Sequence, residues 1–364
     1  MRSRKGISPI IASVLIILVV ISLASTYTVW SSRVFGSVAS AGEETVSKTS
    51  RALFSNFDIQ GAADTRIFIK NTGTSELSSS ALQVFFDVEP LAFAADFDVL
   101  ERDRLGTITL SQLWTLGAGD HDLRISAGSF QDSNKIIVSP ARGVVGDWRF
   151  EEDSGTVVND ASGKGNHAAL GNGTSATVPA RTEGKIGKAV RLDGAWNYVD
   201  VSNKMIDDLK GQGQITVEAW FNRDPSVAPG RDFIIGDHWL GLWISLNSNT
   251  AKPQFQQKVG SACGGGWSTQ TLVDYNVTLA GWTHLLVSYD GSNQRFYING
   301  ALLNNTPASG AIPDCTTQDP KTFWIGTDRT DSSGEPHFPG MIDEVRVYTS
   351  AYAPDELYTL TLKS

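Results

Sequence analysis

The chain has 364 residues, with 30 Lys and Arg against 39 Asp and Glu and a formal net charge of −9. This length leaves room for two folded domains and an appendage, and the acidic balance argues against nucleic acid as a partner. Hydrophobic residues make up 41% of the chain and charged residues 19%, so it can bury a large core, unlike a disordered protein. The 35 glycines and ten tryptophans favour a mainly β fold with many turns.

The N-terminus carries a basic cluster followed by a long apolar segment. Three basic residues lie within the first five positions, and residues 6–32 contain no charge. A helix over residues 7–29 would rise roughly 35 Å, enough to cross a hydrocarbon core of about 30 Å. The positive-inside rule then exports everything after this helix. A secretory signal cleaved near Ala24 is the alternative.

The order of residues at this N-terminus resembles the class III signal of archaeal type IV pilins. Lys5-Gly6 is followed by Ile7-Ser8-Pro9 and then directly by the apolar run. In that family a prepilin peptidase cuts before the apolar helix, so the resemblance implies a signal peptide at residues 1–6 and cleavage between Gly6 and Ile7. The mature chain would keep a transmembrane or filament-core helix over residues 7–54, whose second half is amphipathic.

This resemblance also implies partners and a location. We expect the prepilin peptidase, the membrane and other pilin-like subunits as partners, with the chain as a homopolymer-forming or minor subunit. The expected location is the cell surface, in a membrane anchor or an extracellular filament. A lone anchor that never polymerises remains the alternative.

Residues 55–140 alternate short β-like runs with turn residues, which predicts a small β-sandwich. The arrangement of one long helix followed by such a module is similar to archaeal pilin head domains. No catalytic pattern occurs in this stretch, because its aspartates lie at turns, where Asp commonly caps the backbone.

Residues 143–362 carry a different series of motifs. In chain order they are Gly146-Asp147-Trp148, Asn159-Asp160-Ala161-Ser162-Gly163, Leu192-Asp193-Gly194, Gly281-Trp282-Thr283-His284, Phe296-Tyr297-Ile298-Asn299-Gly300 and Gly340-Met341-Ile342-Asp343-Glu344. The series resembles the laminin-G-like jelly rolls of the concanavalin A-like superfamily. The resemblance implies two antiparallel sheets packed face to face, so the predicted fold class is mainly β, with an N-terminal helix, a β-sandwich head and a jelly roll.

The alternation of residues 239–246 predicts an exposed aromatic face in this jelly roll. Leu and Ile occupy one face of the strand, and Trp239 and Trp243 occupy the other. Because flat rings on an open sheet suit sugar rings, we predict a groove for surface glycans. Its predicted residues are Trp239, Trp243, Gln256, Trp267 and Tyr297. The alternative is that these aromatic residues pack under a loop or against the neighbouring domain.

Two glycine-rich turns carry candidate calcium ligands. Asp160 and Asn166 lie in one turn and Asp343 in another, and Ca²⁺ prefers such oxygen ligands. The family resemblance implies a structural calcium at the rim of the sandwich. The alternative is that these side chains only stabilise their own turns.

The exported part also carries candidate covalent modifications. Cys263 and Cys315 are the only cysteines, and we expect them to form a disulfide. Asn172, Asn276 and Asn304 begin N-glycosylation tripeptides.

The sequence does not show the carboxylate pair that a retaining glycosidase needs. Glu218 is a single acid in its strand, and His284 has no serine or cysteine partner in the pattern. We therefore predict a non-enzymatic, pilin-like adhesion subunit with a lectin-like domain. The alternatives are a membrane-anchored lectin that does not polymerise and a purely structural envelope or filament protein.

Overall fold

The computed structural model describes residues 56–201, 204–230, 232–237, 242–247, 252–256, 259, 277, 279–313, 323–328 and 337–363. The predicted signal peptide, its cleavage position at Gly6 and Ile7, and the whole predicted helix over residues 7–54 lie outside these residues. Across the described ranges, no helix is long and apolar enough to cross a membrane.

Residues 56–140 supply the strands of the first sandwich. Its strands are β1 (Phe57–Ala63), β2 (Arg66–Asn71), β3 (Leu77–Ser78), β4 (Leu82–Phe86), β5 (Glu89–Pro90), β6 (Phe93–Ala95), β7 (Val99–Leu100), β8 (Leu105–Leu110), β9 (Gly119–Ala127) and β10 (Phe130–Pro140), with 3-10 helices at Ser79–Ala81 and Leu113–Thr115. One sheet has the order β1-β2-β8-β6, and a second contains β10-β9-β4-β5.

The period-two alternation of these strands places their apolar side chains in one core. In β2, Ile67 and Ile69 are fully buried, and in β9 the same is true of Leu123 and Ile125. Neighbouring side chains on a strand point to opposite faces, so the intervening residues face outward. This is the pattern from which the first sandwich was predicted.

The described residues between 143 and 348 form the second sandwich. Its elements are β11 (Val144–Trp148), β12 (Val157–Val158), β13 (Ala168–Leu170), β14 (Ala180–Glu183), β15 (Lys188–Asp193), β16 (Val199–Val201), α1 (Lys204–Leu209), β17 (Ile215–Arg223), β18 (Phe233–Asp237), β19 (Leu242–Leu246), β20 (Pro253–Gln256), β21 (Thr283–Tyr289), β22 (Asn293–Ile298), β23 (Ala301–Pro307), β24 (Phe323–Ile325) and β25 (Pro339–Tyr348). An eight-stranded sheet has the order β14-β15-β25-β17-β21-β22-β23, with β11 also paired to β25. A seven-stranded sheet has the order β12-β13-β16-β24-β18-β19-β20.

The last strand of the chain returns to the first sandwich. After a 3-10 helix at Pro354–Glu356, β26 (Tyr358–Leu362) pairs antiparallel with β10, from Pro140 opposite Tyr358 to Ile136 opposite Leu362. The range predicted for the jelly roll, 143–362, therefore includes one strand of the other sheet. The alternating sequence of β26 predicts a strand, but a local pattern cannot name the partner of a strand.

The central strand β17 is buried on both faces, because it lies between two cores. Val217 and Phe221 pack in the core of the second sandwich. Trp220 packs in the other direction, with residues of the first sandwich. The outer face of the eight-stranded sheet is thus covered by the first sandwich.

Aromatic rings join the two sandwiches. The ring of Trp114, from the first sandwich, stacks on His284 at 4.5 Å between centroids and lies 5.7 Å from the ring of Trp220. The Nε2 atom of His284 lies 3.1 Å from Glu218 Oε2, and both side chains are fully buried. Because Trp114 covers this pair, Glu218 and His284 serve the junction of the two sandwiches.

A buried guanidinium organises the same junction. The Nε atom of Arg346 lies 2.8 Å from Asp147 Oδ1, and its Nη1 atom lies 3.4 Å from Glu218 Oε1. Arg346 also pairs with Glu344 and donates to the Tyr358 hydroxyl at 2.6 Å. One fully buried cation therefore ties β11, β17 and β25 to the returning strand β26.

Replacing Arg346 by Met should lower the free energy of unfolding by about 3–5 kcal/mol, because it leaves buried carboxylates without their cation. The measurement is urea denaturation at neutral pH. Arg66→Met is the matched control: the Arg66–Asp64 pair is exposed, with 49% and 70% of the two side chains accessible, and should change the value by no more than about 1 kcal/mol. Equal effects of the two substitutions would contradict the role given to Arg346.

Candidate functional site

The predicted aromatic face lies on the seven-stranded sheet, but it is covered. Trp243 on β19 pairs with Gln256 on β20 and with Gly236 on β18. Gly236 in turn pairs with Trp324 on β24. Trp243 and Trp324 are each only 3% exposed. A Cβ at Gly236 would lie 2.6 Å from Thr327 O, so the segment after β24 lies directly on this face.

The prediction that Trp243 lines an open groove is therefore wrong, because its ring is packed, with Phe233 at 6.4 Å between centroids. The period-two interpretation placed Trp243 on the correct face, opposite Leu242 and Ile244, which lie in the core. Burial of that face was the alternative stated from the sequence.

Tyr297 does not join Trp243 in one groove. It lies on β22 of the eight-stranded sheet and packs, 8% exposed, in the cluster shared with the first sandwich. The backbone of Gln256 ends β20. The side chain of Gln256, together with Trp239 and Trp267, lies outside the described residues.

The oxygen atoms of Asp160 accept hydrogen bonds from its own turn and from β11. Oδ1 accepts from the backbone N–H groups of Asp147 and Ser162. Oδ2 accepts from the Ser162 hydroxyl and the N–H of Asn166. A carboxylate has about four lone-pair positions, so Asp160 has none left for a cation. The Asn166 amide donates to Val145 O and to Asp208 Oδ2.

Asp343, the third predicted ligand, binds a different turn. Its Oδ2 accepts from the N–H groups of Lys185 and Ile186, and its Oδ1 from that of Glu344. Burial raises the pKa of Asp343 to about 8. Among the described residues, no group of three or more His, Cys, Asp and Glu could hold a metal ion. Asp160 and Asp343 do not fit a shared calcium site, because the oxygens of both carboxylates accept N–H or hydroxyl groups of the protein. In the described parts of the chain, the Asn166 side-chain oxygen has no hydrogen-bond partner.

The predicted modification sites are partly described. Asn172 is exposed in the loop after β13, and Asn304 is half-buried on the edge strand β23. Asn276 and both cysteines, Cys263 and Cys315, lie outside the described residues. Their glycosylation and disulfide stay predictions.

A cleft of about 350 Å³ opens at the end of the eight-stranded sheet where β15 and β17 flank β25. Its lining residues are Ala180, Arg191, Leu192, Asp193, Asn197, Asp224, Val227, Pro339 and Gly340. Gly340 permits the close approach of the strands here: its φ is +147°, and a Cβ would lie 2.3 Å from Asn222 O. The cleft therefore combines apolar walls with charged and amide groups.

A tight turn holds a tryptophan beside this cleft. Asp193 Oδ1 accepts three backbone N–H groups, from Ala195 at 2.9 Å, Trp196 at 2.9 Å and Asn197 at 3.0 Å. Gly194 has a φ of +75°, which favours glycine, and its Cα packs on Pro339. Trp196 is 50% exposed at the apex of this turn. Its backbone is thus fixed while its ring stays accessible.

The second carboxylate of the cleft is fixed in the same way. Asp224 Oδ1 accepts from the N–H of Ser226 at 2.9 Å and from its hydroxyl at 2.7 Å. The Ser226 hydroxyl and N–H lower the pKa of Asp224. Burial acts to raise the pKa of Asp193, but the N–H groups of its turn outweigh it and lower that pKa. Both carboxyls are therefore ionised at neutral pH.

The sequence did not predict this cleft. Leu192-Asp193-Gly194 indicates only the fold, and Trp196 is not among the predicted site residues. A signal was present in the sequence, because a Trp follows two residues after the glycine of an Asp-Gly turn. A tryptophan at the apex of a turn does not pack in the core. Asp224 and Pro339 gave no signal, because only strand pairing brings them to Asp193.

The family comparison agrees with this architecture. Residues 193–357 match the Laminin_G_3 family, described as the concanavalin A-like lectin/glucanases superfamily. The predicted jelly roll is confirmed over this range. No curated protein sequence is significantly similar to the chain.

Solved structures similar to the chain include domain 4 of AbnA, a GH43 extracellular arabinanase from Geobacillus stearothermophilus, in complex with arabinotriose. The identity is 21% and the TM-score 0.44, with 60% of this chain and 97% of that one covered. A Trypanosoma rangeli sialidase in complex with 2,3-difluorosialic acid has 15% identity and a TM-score of 0.42, covering 60% and 32%. A botulinum neurotoxin type C structure has 12% identity and a TM-score of 0.41, covering 58% and 49%. The last two chains extend well beyond their matched parts.

Replacing Asp193 by Ala should lower the free energy of unfolding by about 1–2 kcal/mol, because three backbone N–H groups lose their acceptor. Asp193→Asn keeps an oxygen at the Oδ1 position and should cost less than half as much. Urea denaturation measures both. If the Asn variant is as unstable as the Ala variant, the negative charge of Asp193 stabilises the fold more than the hydrogen bonds that its oxygen accepts in the turn.

Proposed function

We propose that the jelly roll binds glycans at the cleft beside Trp196. The observation that carries this proposal is an exposed indole on a turn whose residues Asp193 and Asn197 line a cleft with polar groups. Ligand sites commonly combine apolar walls with a few well-placed polar groups, and an indole face suits the C–H face of a sugar ring.

Binding rather than cleavage is part of this proposal. Glycoside hydrolysis by two carboxylates needs one of them as a general acid with a raised pKa. The pKa values of Asp193 and Asp224 are both lowered. The pair Glu218 and His284 is buried under Trp114, away from any substrate. These facts support a non-enzymatic lectin-like role.

As its cellular role, we propose that the chain is a pilin-like adhesion subunit that presents this jelly roll at the cell surface. Support comes from the sequence: the basic cluster, Gly6-Ile7 and the apolar run match the order of class III signals. Membrane anchoring without polymerisation is the second candidate, favoured by an apolar run long enough to span a bilayer by itself. A prepilin peptidase and other pilin-like subunits would be partners only in the first case.

Trp196→Ala should weaken glycan binding at least tenfold, because it removes the aromatic platform, while Trp196→Phe should keep part of it. The measurement is a glycan array with the purified full chain, followed by calorimetric titration of the best ligand. Leu302→Ala is the matched control, an apolar residue 52% exposed on β23, at the opposite edge of the same sheet. Thermal unfolding should be unchanged in all three variants.

Two results would count against the site. If the parent chain binds no glycan, the proposed function fails. Should Trp196→Ala and the parent bind one glycan equally, the cleft beside Trp196 is not the site.

Electron microscopy of cells labelled with antibody against the jelly roll separates the two cellular proposals. A pilin-like subunit predicts label along filaments, because the apolar helices pack in a shared core. Label spread evenly over the cell envelope would contradict assembly and leave the lone anchor.

A further inference from the structure

We infer that the cleft beside Trp196 selects neutral glycans through their hydroxyl groups and rejects glycans that carry carboxylates. This inference rests on the proposed function and adds the class of ligand. It follows from the charges of the cleft and from the atoms that its turns leave available.

The charged groups lining the cleft sum to a negative value. Asp193 and Asp224 contribute two negative charges, and Arg191 contributes one positive charge. The guanidinium of Arg191 also contacts Met341 Sδ at 3.4 Å, on the neighbouring strand β25. A glycan carboxylate entering the cleft would therefore meet two like charges and one opposite charge.

The nearby Arg223 does not supply a second cation for a ligand. Its Nε donates to Asp232 Oδ2 at 2.7 Å, and that carboxylate offsets its charge. Its Nη atoms donate to three backbone oxygens, those of Asp224, Val227 and Ala228. Four of the five N–H groups of this guanidinium are thus used within the protein.

The turns leave one oxygen of each carboxylate for a ligand. Oδ1 of Asp193 and Oδ1 of Asp224 are occupied by the donors of their turns. Neither Oδ2 atom makes a hydrogen bond within the part of the chain that the structure describes. Both are pure acceptors, because both carboxyls are ionised at neutral pH.

Sugar hydroxyls match these acceptors. A carboxylate oxygen can accept from two hydroxyl groups, so neighbouring hydroxyls of a neutral sugar satisfy it. Asn197 adds a complementary group: its Nδ2 donates to Ala176 O at 3.1 Å, which leaves a second N–H. The ring of Trp196 would cover the apolar face of the same sugar. A carboxylate sugar replaces a donating hydroxymethyl group with a further acceptor that repels both aspartates.

The test compares matched ligands with the full chain. Neutral hexose oligosaccharides are titrated against the same oligosaccharides with one hexose oxidised at C6 to the uronic acid, in low salt and with a chelator present. We expect the neutral member of each pair to bind at least tenfold more tightly. Raising the salt concentration should reduce this difference in affinity, because salt screens the repulsion between the uronic acid and the two aspartates.

Charge variants identify the cause. Asp193→Asn and Asp224→Asn keep the oxygen that their turns need and remove the charge. Each should therefore reduce several-fold the ratio of the affinity for the neutral oligosaccharide to that for its uronic acid. Arg191→Gln should increase this affinity ratio. Asp103→Asn is the matched control: this aspartate is 66% exposed on the first sandwich and should leave the ratio unchanged.

The outcomes separate the two proposals. Failure of the parent to bind any oligosaccharide overturns the proposed function. Equal or tighter binding of the uronic acids overturns only the selection for neutral glycans. Binding of uronic acids that appears on adding Ca²⁺ would also overturn it, because a cation bridging the two aspartates would then set the specificity.

Discussion

The buried guanidinium of Arg346 is the interaction on which the arrangement of the whole molecule depends. It brings the carboxylates of Asp147 and Glu218, from β11 and β17, to the hydroxyl of Tyr358 on β26. A cation with no exposed surface is stable only while these partners surround it. The returning strand and the eight-stranded sheet are thus fixed together, and the two sandwiches form one unit around this point.

This junction explains why one end of the jelly roll is free for a ligand. The first sandwich covers the outer face of the eight-stranded sheet around Trp220 and Tyr297. The segment after β24 covers the outer face of the other sheet above Gly236. With these faces occupied, the accessible cleft lies at the strand ends, where the Asp193 turn holds Trp196 outward. The same turn that stabilises the fold therefore positions the aromatic group of the proposed site.

The sequence predicted most of the fold but not the burial of Trp243 and Tyr297. Alternation identified β2, β17 and β19 and the face of β19 on which Trp243 stands, because the period of two is a local property. It could not show that this face is covered by residues far along the chain. The same limit applies to Tyr297, whose strand was recognised while its sheet was not. Asp160 was correctly placed in a turn, but Asp343 lies within β25. Its Oδ2 accepts the N–H groups of Lys185 and Ile186, which are far from it in the chain.

Taken alone, the sequence determined the mainly β character, the two successive sandwiches and the motifs of the jelly roll. These features depend on residues close together in the chain. Only the tertiary structure decided that β26 joins β10, that Arg346 lies among three carboxylates, and that Asp193 shares a cleft with Asp224. The reason is physical: strand pairing and burial are set by contacts between distant segments, and a period-two pattern is compatible with many partners.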